Sequence, residues 1–438
     1  MSQKANLSQL QEKMTIQAYV GLEARFSQLT DEQVRWLAHN FSGAYGIITR
    51  KGQKADIPLV KLVPGDKLHR IHKFPTKLKH LCEVTPKLLA SLKQRQFTQF
   101  EVKKTQHPGH AGKVEKANQL VQSVKKGFQV KHKTSKVIEE IMDSSKKGVP
   151  EINQLEGYVG QILEDQLIES MSALSALKRS SQTYAHCVDV GAIFLAAYYE
   201  IKRRKGQKPS FTDEKDALIS AMLHDVGKGT IPKEILESEV KWEKGSPELQ
   251  MFQGHPAKSQ EMLKQMGMGE LAQNMALCHH LKASGLGQNN YPNNVDYELA
   301  SYEARLLAIV DVYQSLIGKR PYKKSWTAPS AMRYIESLAG IDYDEEVWKD
   351  FRLVMGIYPK GSLVKLSTGA AGFVVSVPED DLERPQVAVS TDANLKPLPK
   401  QELLDLKMEP SITIVEDLDP DQVFQGKALE RFANLQIQ

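Results

Sequence analysis

The stretch Leu223-His224-Asp225-Val226-Gly227-Lys228 sets an imidazole, a carboxylate and an ammonium within five residues, beside a glycine. Such groups suit a metal ion and a phosphate. Upstream, residues 216–223 are apolar with helical spacing and meet no breaker before Gly227, which predicts that His224 and Asp225 close the last turn of a helix. Neighbouring helical side chains point about 100° apart, so the pair cannot grip one ion from one side. It can share a site in which Asp225 bridges two ions. Alone, a His-Asp pair is better explained as an ordinary surface pair at a helix end.

Other parts of the chain answer it. His186 opens an apolar run, His255 precedes Pro256 at a helix start, His279 and His280 are adjacent, and Asp311 interrupts the apolar stretch LLAIVDVY. Each has a plain reading: a satisfied core histidine, a helix entry, a carboxylate bonded to a neighbour. Asp311 resists it most, because a buried carboxylate without a cation or strong donor is costly. With five of the 12 histidines involved, one shared metal site explains the set better than separate coincidences.

The ordered series His186, His224-Asp225 with Gly227-Lys228, Pro232 and Ile235-Leu236, His255-Pro256, His279-His280, then Asp311 with Arg320-Pro321-Tyr322 resembles the HD-GYP phosphodiesterases. These are the HD metal-dependent phosphohydrolases that cleave bacterial cyclic dinucleotides. The likeness runs from about residue 150 to about 410 and has two departures. After the histidine pair, Leu281 stands where the family has Glu and Ser284 where it has Asp, and Gln288-Asn289-Asn290 are inserted before Tyr291-Pro292. Upstream, Gln182 occupies the place of a Glu that holds a third metal in some members, and a neutral amide is a poor ligand for a divalent ion. Two ions are therefore expected.

The resemblance implies an all-α HD-type catalytic domain in a mainly α chain. It assigns His186, His224, Asp225 and Asp311 to one divalent transition ion, and Asp225, His255, His279 and His280 to a second. Mn or Fe is favoured, with Ni and Zn open. Lys228 would act with Asp225 in catalysis by neutralising charge on the phosphoryl group, and Arg320 would hold a second phosphate. Ser284, Gly285, Gly287, Tyr291 and Pro292 would line the substrate's base. Hydrolysis of a 3′,5′-linked cyclic dinucleotide follows, cyclic di-GMP or 3′3′-cyclic GMP-AMP, to a linear dinucleotide, with onward cleavage to mononucleotides left open. A non-hydrolysing cyclic-dinucleotide receptor or protein-interaction module with a degenerate loop is the alternative. A homodimer is compatible with either.

Composition frames the elements that must position these groups. At 438 residues the chain exceeds one ordinary core. The expected divisions are an α+β regulatory module over 1–110, a basic helical linker over 111–150, the catalytic domain over 151–357, and a small β module with a tail over 358–438. Residues 1–43 read as two amphipathic helices with Phe26, Leu29 and Trp36 inward and a Thr30–Gln33 capping box. Strands are expected at 45–48, 57–63 and 97–102, and a helix at 86–94. Catalytic helices are expected at 151–176, 182–204, 213–226, 247–266, 269–281, 298–318, 327–338 and 344–356. Short strands follow Tyr358-Pro359-Lys360-Gly361, and the residues beyond about 416 are expected to be partly disordered.

Between residues 51 and 150 there are 22 Lys or Arg against 8 Asp or Glu, in a chain whose formal net charge is +5. A solvated basic face explains this better than a nucleic-acid surface, since no zinc-finger spacing or RNA-binding aromatic signature accompanies it. Cys82, Cys187 and Cys278 are scattered and odd in number, which does not suggest a disulfide framework. No apolar stretch has bilayer length and the polar start carries no apolar signal core, so a cytoplasmic setting without membrane association is expected.

Overall fold

The protein is described by a computed structural model over residues 2–6, 15–16, 22–26, 28–40, 44–72, 99–103, 110–144, 148–177, 183–236, 238, 242–286, 290–318 and 326–438. It divides into two compact units, Met1–Ala111 and Gly112–Gln438.

The described elements of the first unit are β1 (Ser2–Asn6), β2 (Thr15–Ile16), β3 (Leu22–Phe26), α1 (Asp31–Asn40), β4 (Tyr45–Arg50), β5 (Gln53–Pro58), β6 (Lys67–His72) and β7 (Gln99–Lys103). They form two antiparallel sheets, ordered β1-β7-β2 and β3-β6-β4-β5. Two helices in residues 1–43 is thus corrected: among the described residues only 31–40 are helical. Leu22-Glu23-Ala24-Arg25-Phe26 alternates with the period of a strand, and pairing with β6 uses it. The capping box forms, with Thr30 Oγ1 accepting from Gln33 N at 3.2 Å and Gln33 Oε1 accepting from Thr30 N at 2.9 Å. Leu29 is buried; the side chains of Phe26 and Trp36 and the helix expected at 86–94 lie outside the described residues. The strand expected over 57–63 ends at Pro58, and Leu59–Lys61 turn as a short 3-10 helix.

The second unit begins on α2 (His110–Ser144) and continues through α3 (Asn153–Glu164), α4 (Ile168–Leu177), α5 (Thr183–Lys205), α6 (Glu214–Met222), α7 (Lys233–Leu236), α8 (Pro247–Gln253), α9 (His255–Gln265), α10 (Glu270–Cys278), α11 (Tyr302–Ile317), α12 (Ala328–Glu336) and α13 (Glu345–Met355). The apolar faces of α5, α10, α11, α12 and α13 share one core, with Phe194, Tyr198, Tyr313 and Phe351 at its centre. A second core joins α2 through Val137, Ile138 and Ile141 to α3, α5, α6, α9 and α10. Helix α5 is buried along most of its length and ends in Lys202–Lys205, where cations complement the carbonyl end of the helix dipole.

The helix expected at 298–318 starts at Tyr302 and the one expected at 269–281 ends at Cys278, and three further departures have a local reason. Residues 151–176 split at Gln166, whose φ of +53° lets Leu167 N reach back to Ile162 O at 3.0 Å and end α3. Residues 247–266 split at Gly254, after which Pro256 sits in the first turn of a new helix that needs no N–H from it. Helix α6 stops at Met222, so His224 and Asp225 lie in the turn beyond it, not in its last turn. Gly227 explains the early exit. A Cβ there would stand 2.4 Å from His255 O and 2.6 Å from Ser259 N, so the chain crosses α9 backbone to backbone. Gly227 N also donates to Ser259 Oγ at 2.9 Å.

The sheet of β8 (Leu363–Leu366), β9 (Ala371–Ser376), β10 (Gln386–Thr391), β11 (Pro397–Asp405) and β12 (Ile414–Leu418) is antiparallel, ordered β11-β10-β9-β8-β12. One face, through Leu363, Phe373, Val375 and Leu403, packs with Leu120, Val124 and Leu174 of α2 and α4. The residues after 416 are not disordered. α14 (Pro420–Val423) and α15 (Ala428–Ala433) bury Phe424 and Phe432 against Phe373, with ring centroids 5.4 and 5.3 Å away. The acidic composition hid two aromatic anchors. Among the described residues, no helix is long and apolar enough to cross a membrane.

Candidate metal centre

Three imidazoles are delivered by one device. His224 follows α6, His255 follows α8 and His279 follows α10, and in each case Nδ1 bonds the carbonyl three residues back, a group the helix end leaves unpaired. The contacts are His224 to Ala221 O at 2.7 Å, His255 to Phe252 O at 2.6 Å and His279 to Ala276 O at 2.8 Å. A carbonyl only accepts, so Nδ1 carries the proton and the lone pair of the neutral ring is fixed on Nε2. All three Nε2 atoms converge on Asp225.

Asp225 Oδ1 lies 3.0 Å from His255 Nε2 and 3.5 Å from His279 Nε2, and its Oδ2 lies 3.4 Å from His224 Nε2 and 3.9 Å from His186 Nε2. Lys228 Nζ donates to the same Oδ2. From α11, Asp311 Oδ1 approaches His186 Nε2 at 2.9 Å and His224 Nε2 at 3.8 Å. Ligand atoms of Asp225, His255, His279 and His280 form one group within 4.8 Å, and those of His186, His224 and Asp225 a second. Asp225 belongs to both. The structure thus brings together all seven residues expected as ligands, together with Lys228.

The electrostatics call for a cation. Among the described residues, buried side-chain atoms without a hydrogen-bond partner include Nε2 of His224, His255, His279 and His280 and Oδ1 of Asp225. Each such atom costs roughly 1–3 kcal/mol. Five together cost about as much as the whole stability of an ordinary domain. Lone pairs of imidazole and carboxylate face each other across 3.0–3.5 Å, an arrangement that only positive charge between them relieves. Mixed imidazole and carboxylate donors fit a divalent transition ion.

Protonation of the chain's own groups points the same way. Burial disfavours the charged form of His224, but the Asp225 and Asp311 carboxylates overcome this and raise it to about 9. Burial, with the His224 charge, lowers His279, and burial with the Lys228 charge takes His255 down to about 4. Burial opposes ionisation of Asp225 and Asp311, yet Lys228 and the histidines hold Asp225, and His186 and His224 hold Asp311, well below the usual carboxylate range. A proton on His224 therefore stands where a metal would bind. Metal affinity is expected to rise about tenfold per pH unit from pH 7 until His224 loses its proton near pH 9, then level off. Calorimetric Mn²⁺ titrations across that range check this, and a flat profile counts against it.

The loop residues divide. Tyr291 lies against His280 with centroids 4.4 Å apart and the rings tilted by 34°, and Pro292 follows it. Ser284 donates to Asp342 Oδ1 at 2.7 Å, Lys282 Nζ lies 2.5 Å from Asp342 Oδ2, and Gly285 N closes a turn onto Lys282 O at 3.0 Å. Asn290, one of the inserted residues, accepts from Lys282 N at 2.9 Å and ties the loop's two ends. Leu281 is buried in the apolar core. Gln182, Gly287 and Arg320 lie outside the described residues. Cys187 and Cys278 are buried free thiols that burial holds protonated, raised in Cys278 to about 11. Sequence reasoning missed Asp189 and Gln314, each one helical turn beyond a proposed ligand and buried in an apolar helix.

Gly227→Ala is expected to push the His224-Asp225 turn off α9. The cost is about 1–3 kcal/mol of stability, the usual range for overpacking, with weakened metal retention. Thermal melting with and without Mn²⁺ measures both.

Residues 163–347 match a family model described as HD domain, and residues 363–426 one described as KOW domain associated with HD domain. The HD likeness thus spans residues 163–347. Among relatives, a cyclic di-GMP phosphodiesterase of Pseudomonas aeruginosa is 33% identical over 235 residues, 53% of this chain and 54% of that protein. A cyclic di-GMP phosphodiesterase response regulator of Xanthomonas campestris is 28% identical over 42% of this chain and 49% of its own length. A 3′3′-cGAMP-specific phosphodiesterase of Vibrio cholerae is 26% identical over 32% of this chain and 29% of its own. The chain spans about half the length of the first two relatives. The segment that matches the HD model holds the six clustered residues, Asp311 beside them and Lys228, and the segment that matches the KOW model lies outside that span of sequence.

Proposed function

We propose that the chain is a metal-dependent phosphodiesterase of the HD-GYP type that hydrolyses a 3′,5′-linked cyclic dinucleotide to a linear one. The observation that carries this reading is Asp225, one buried carboxylate facing two groups of imidazoles, in which Nε2 of His224, His255, His279 and His280 has no hydrogen-bond partner. Relatives named as cyclic di-GMP and 3′3′-cGAMP phosphodiesterases support the substrate class.

His186, His224, Asp225 and Asp311 would hold one ion and Asp225, His255, His279 and His280 the other, with Mn or Fe favoured over Ni or Zn. Bound there, two divalent ions supply Lewis acidity to the phosphodiester and to water. The chain's own groups do the rest. Lys228, whose ammonium already lies against Asp225, places a fixed positive charge where charge builds on the phosphoryl oxygens. Phe252, its ring centroid 5.5 Å from Lys228 Nζ, is half-buried and would offer a base an aromatic face, while Tyr291, buried against His280, would back the loop that borders the base. Arg320 would hold the second phosphate, and the turn at Ser284 and Gly285 with Gly287 and Pro292 would border a base. The receptor alternative is not favoured, because binding alone gives no use to so many unpartnered ligand atoms.

The test is incubation of purified protein with cyclic di-GMP and with 3′3′-cyclic GMP-AMP, each with Mn²⁺ and with Fe²⁺, and chromatography of the products. Linear dinucleotide from either substrate is expected. Tight binding of both without product under every metal would establish the receptor instead.

A further inference from the structure

His186 is held differently from His224, His255 and His279. Its Nδ1 meets no carbonyl of its own helix but Oε1 of Gln314, on α11 one turn beyond Asp311. Gln314 Nε2 donates to Asp189 Oδ2 at 3.1 Å, and Asp189 Oδ1 takes the ammonium of Lys131 at 2.5 Å. Lys131, Asp189 and Gln314 are 6%, 1% and 3% exposed. Lys131 sits on α2, upstream of the segment that matches the HD domain. A buried row of side chains thus runs from α2 through α5 and α11 to the candidate metal centre.

The row has a direction fixed by charge. An ammonium only donates and a carboxylate only accepts, so Asp189 draws the amide NH₂ of Gln314 toward itself. The Gln314 carbonyl then faces His186, Nδ1 must donate to it, and the lone pair is left on Nε2. That atom faces Asp311 Oδ1 at 2.9 Å. We infer that Lys131, Asp189 and Gln314 are positioning residues that fix the tautomer of His186 and so set its strength as a ligand for a divalent cation. The inference rests on the metal-site reading and extends it to a residue outside the matched HD segment. A competing account makes Lys131–Asp189 a plain buried ion pair between α2 and α5, which would govern stability alone.

Asp189→Asn separates the two. The substitution keeps the volume, but the new side-chain amide turns its carbonyl to Lys131 and its NH₂ to Gln314. Gln314 must then flip, present its own NH₂ to His186, and move the imidazole proton to Nε2. Mn²⁺ titration of the full chain by calorimetry is expected to show one of two sites weakened by roughly 10–100-fold, as for other partners of metal-bound histidines, with the second site changed little. Lys131→Met, which leaves the Asp189 carboxylate to accept from Gln314, should weaken the same site less than Asp189→Asn does, and Lys131→Arg should match wild type. Gln314→Leu, which removes the relay without touching charge, should give the same selective loss, and serves if Asp189→Asn does not fold. Folded Asp189→Asn or Gln314→Leu protein with both affinities within twofold of wild type overturns the relay and leaves the metal site standing. A wild-type chain that binds no Mn²⁺ overturns the metal-site reading itself.

Discussion

Asp225→Asn is expected to abolish hydrolysis, by about 10³-fold or more, and to strip the chain of both ions at once. Among the described residues no other proposed ligand carries that double penalty, since Asp225 alone belongs to both groups of ligand atoms. A thousandfold loss corresponds to about 4 kcal/mol of transition-state stabilisation. The amide keeps the shape of the carboxylate but removes the charge that opposes Lys228 and steadies protonated His224. It also presents an NH₂ to His255 or His224 where a cation should sit. By contrast, Asp311→Asn removes a carboxylate that contacts only His186 and His224 among the five histidines and should release one ion. Metal content per chain, measured beside turnover, separates the two variants. Retention of both ions by Asp225→Asn would show that it is not shared.

Lys228→Met carries the second largest effect and a different signature. Its side chain lies against Phe252, so the methionine keeps the packing and loses the charge. Both ions should remain bound, and kcat should fall by roughly 10²–10³, the range for removing one group that stabilises transition-state charge, while KM changes by only a few-fold. Lys228→Arg should recover part of kcat. A variant that loses metal instead would make Lys228 a partner of Asp225 and nothing more. Turnover under saturating Mn²⁺ with metal analysis of the same sample decides between them.

The site was legible in the sequence because its signals were local and of unusual type. His-Asp-Val-Gly-Lys, a histidine before proline, a histidine pair and a lone aspartate in an apolar helix each stood out, and their order carried the resemblance. How the histidines are aimed was not legible, since it depends on where helices stop. Gly254 and Pro256 turned one expected helix into two, and the breaks place His224, His255 and His279 just past helix ends, where Nδ1 can cap a carbonyl. Gly227 read as a local breaker, but its action comes from close contact with α9, a tertiary fact.

The relay was invisible for another reason. Lys131 lies among many lysines in a basic helix, and nothing in its neighbours marks it as the buried one. Asp189 and Gln314 carried a faint signal, polar residues one turn from His186 and Asp311 in apolar helices, which could have been read as supports for those ligands. At the N-terminal side, the strand at residues 22–26 was misread because its five-residue alternation is short beside the helical spacing around it. In the tail, acidity outweighed Phe424 and Phe432, whose partners lie in β9, far back along the chain.

Seven side chains would hold a pair of divalent ions. Elemental analysis of the wild-type chain, loaded with Mn²⁺ and then freed of loose metal by gel filtration, tests this most directly. Two ions per chain are expected. A chain that retains none would contradict the account and leave the buried, inward-facing lone pairs around Asp225 without a purpose.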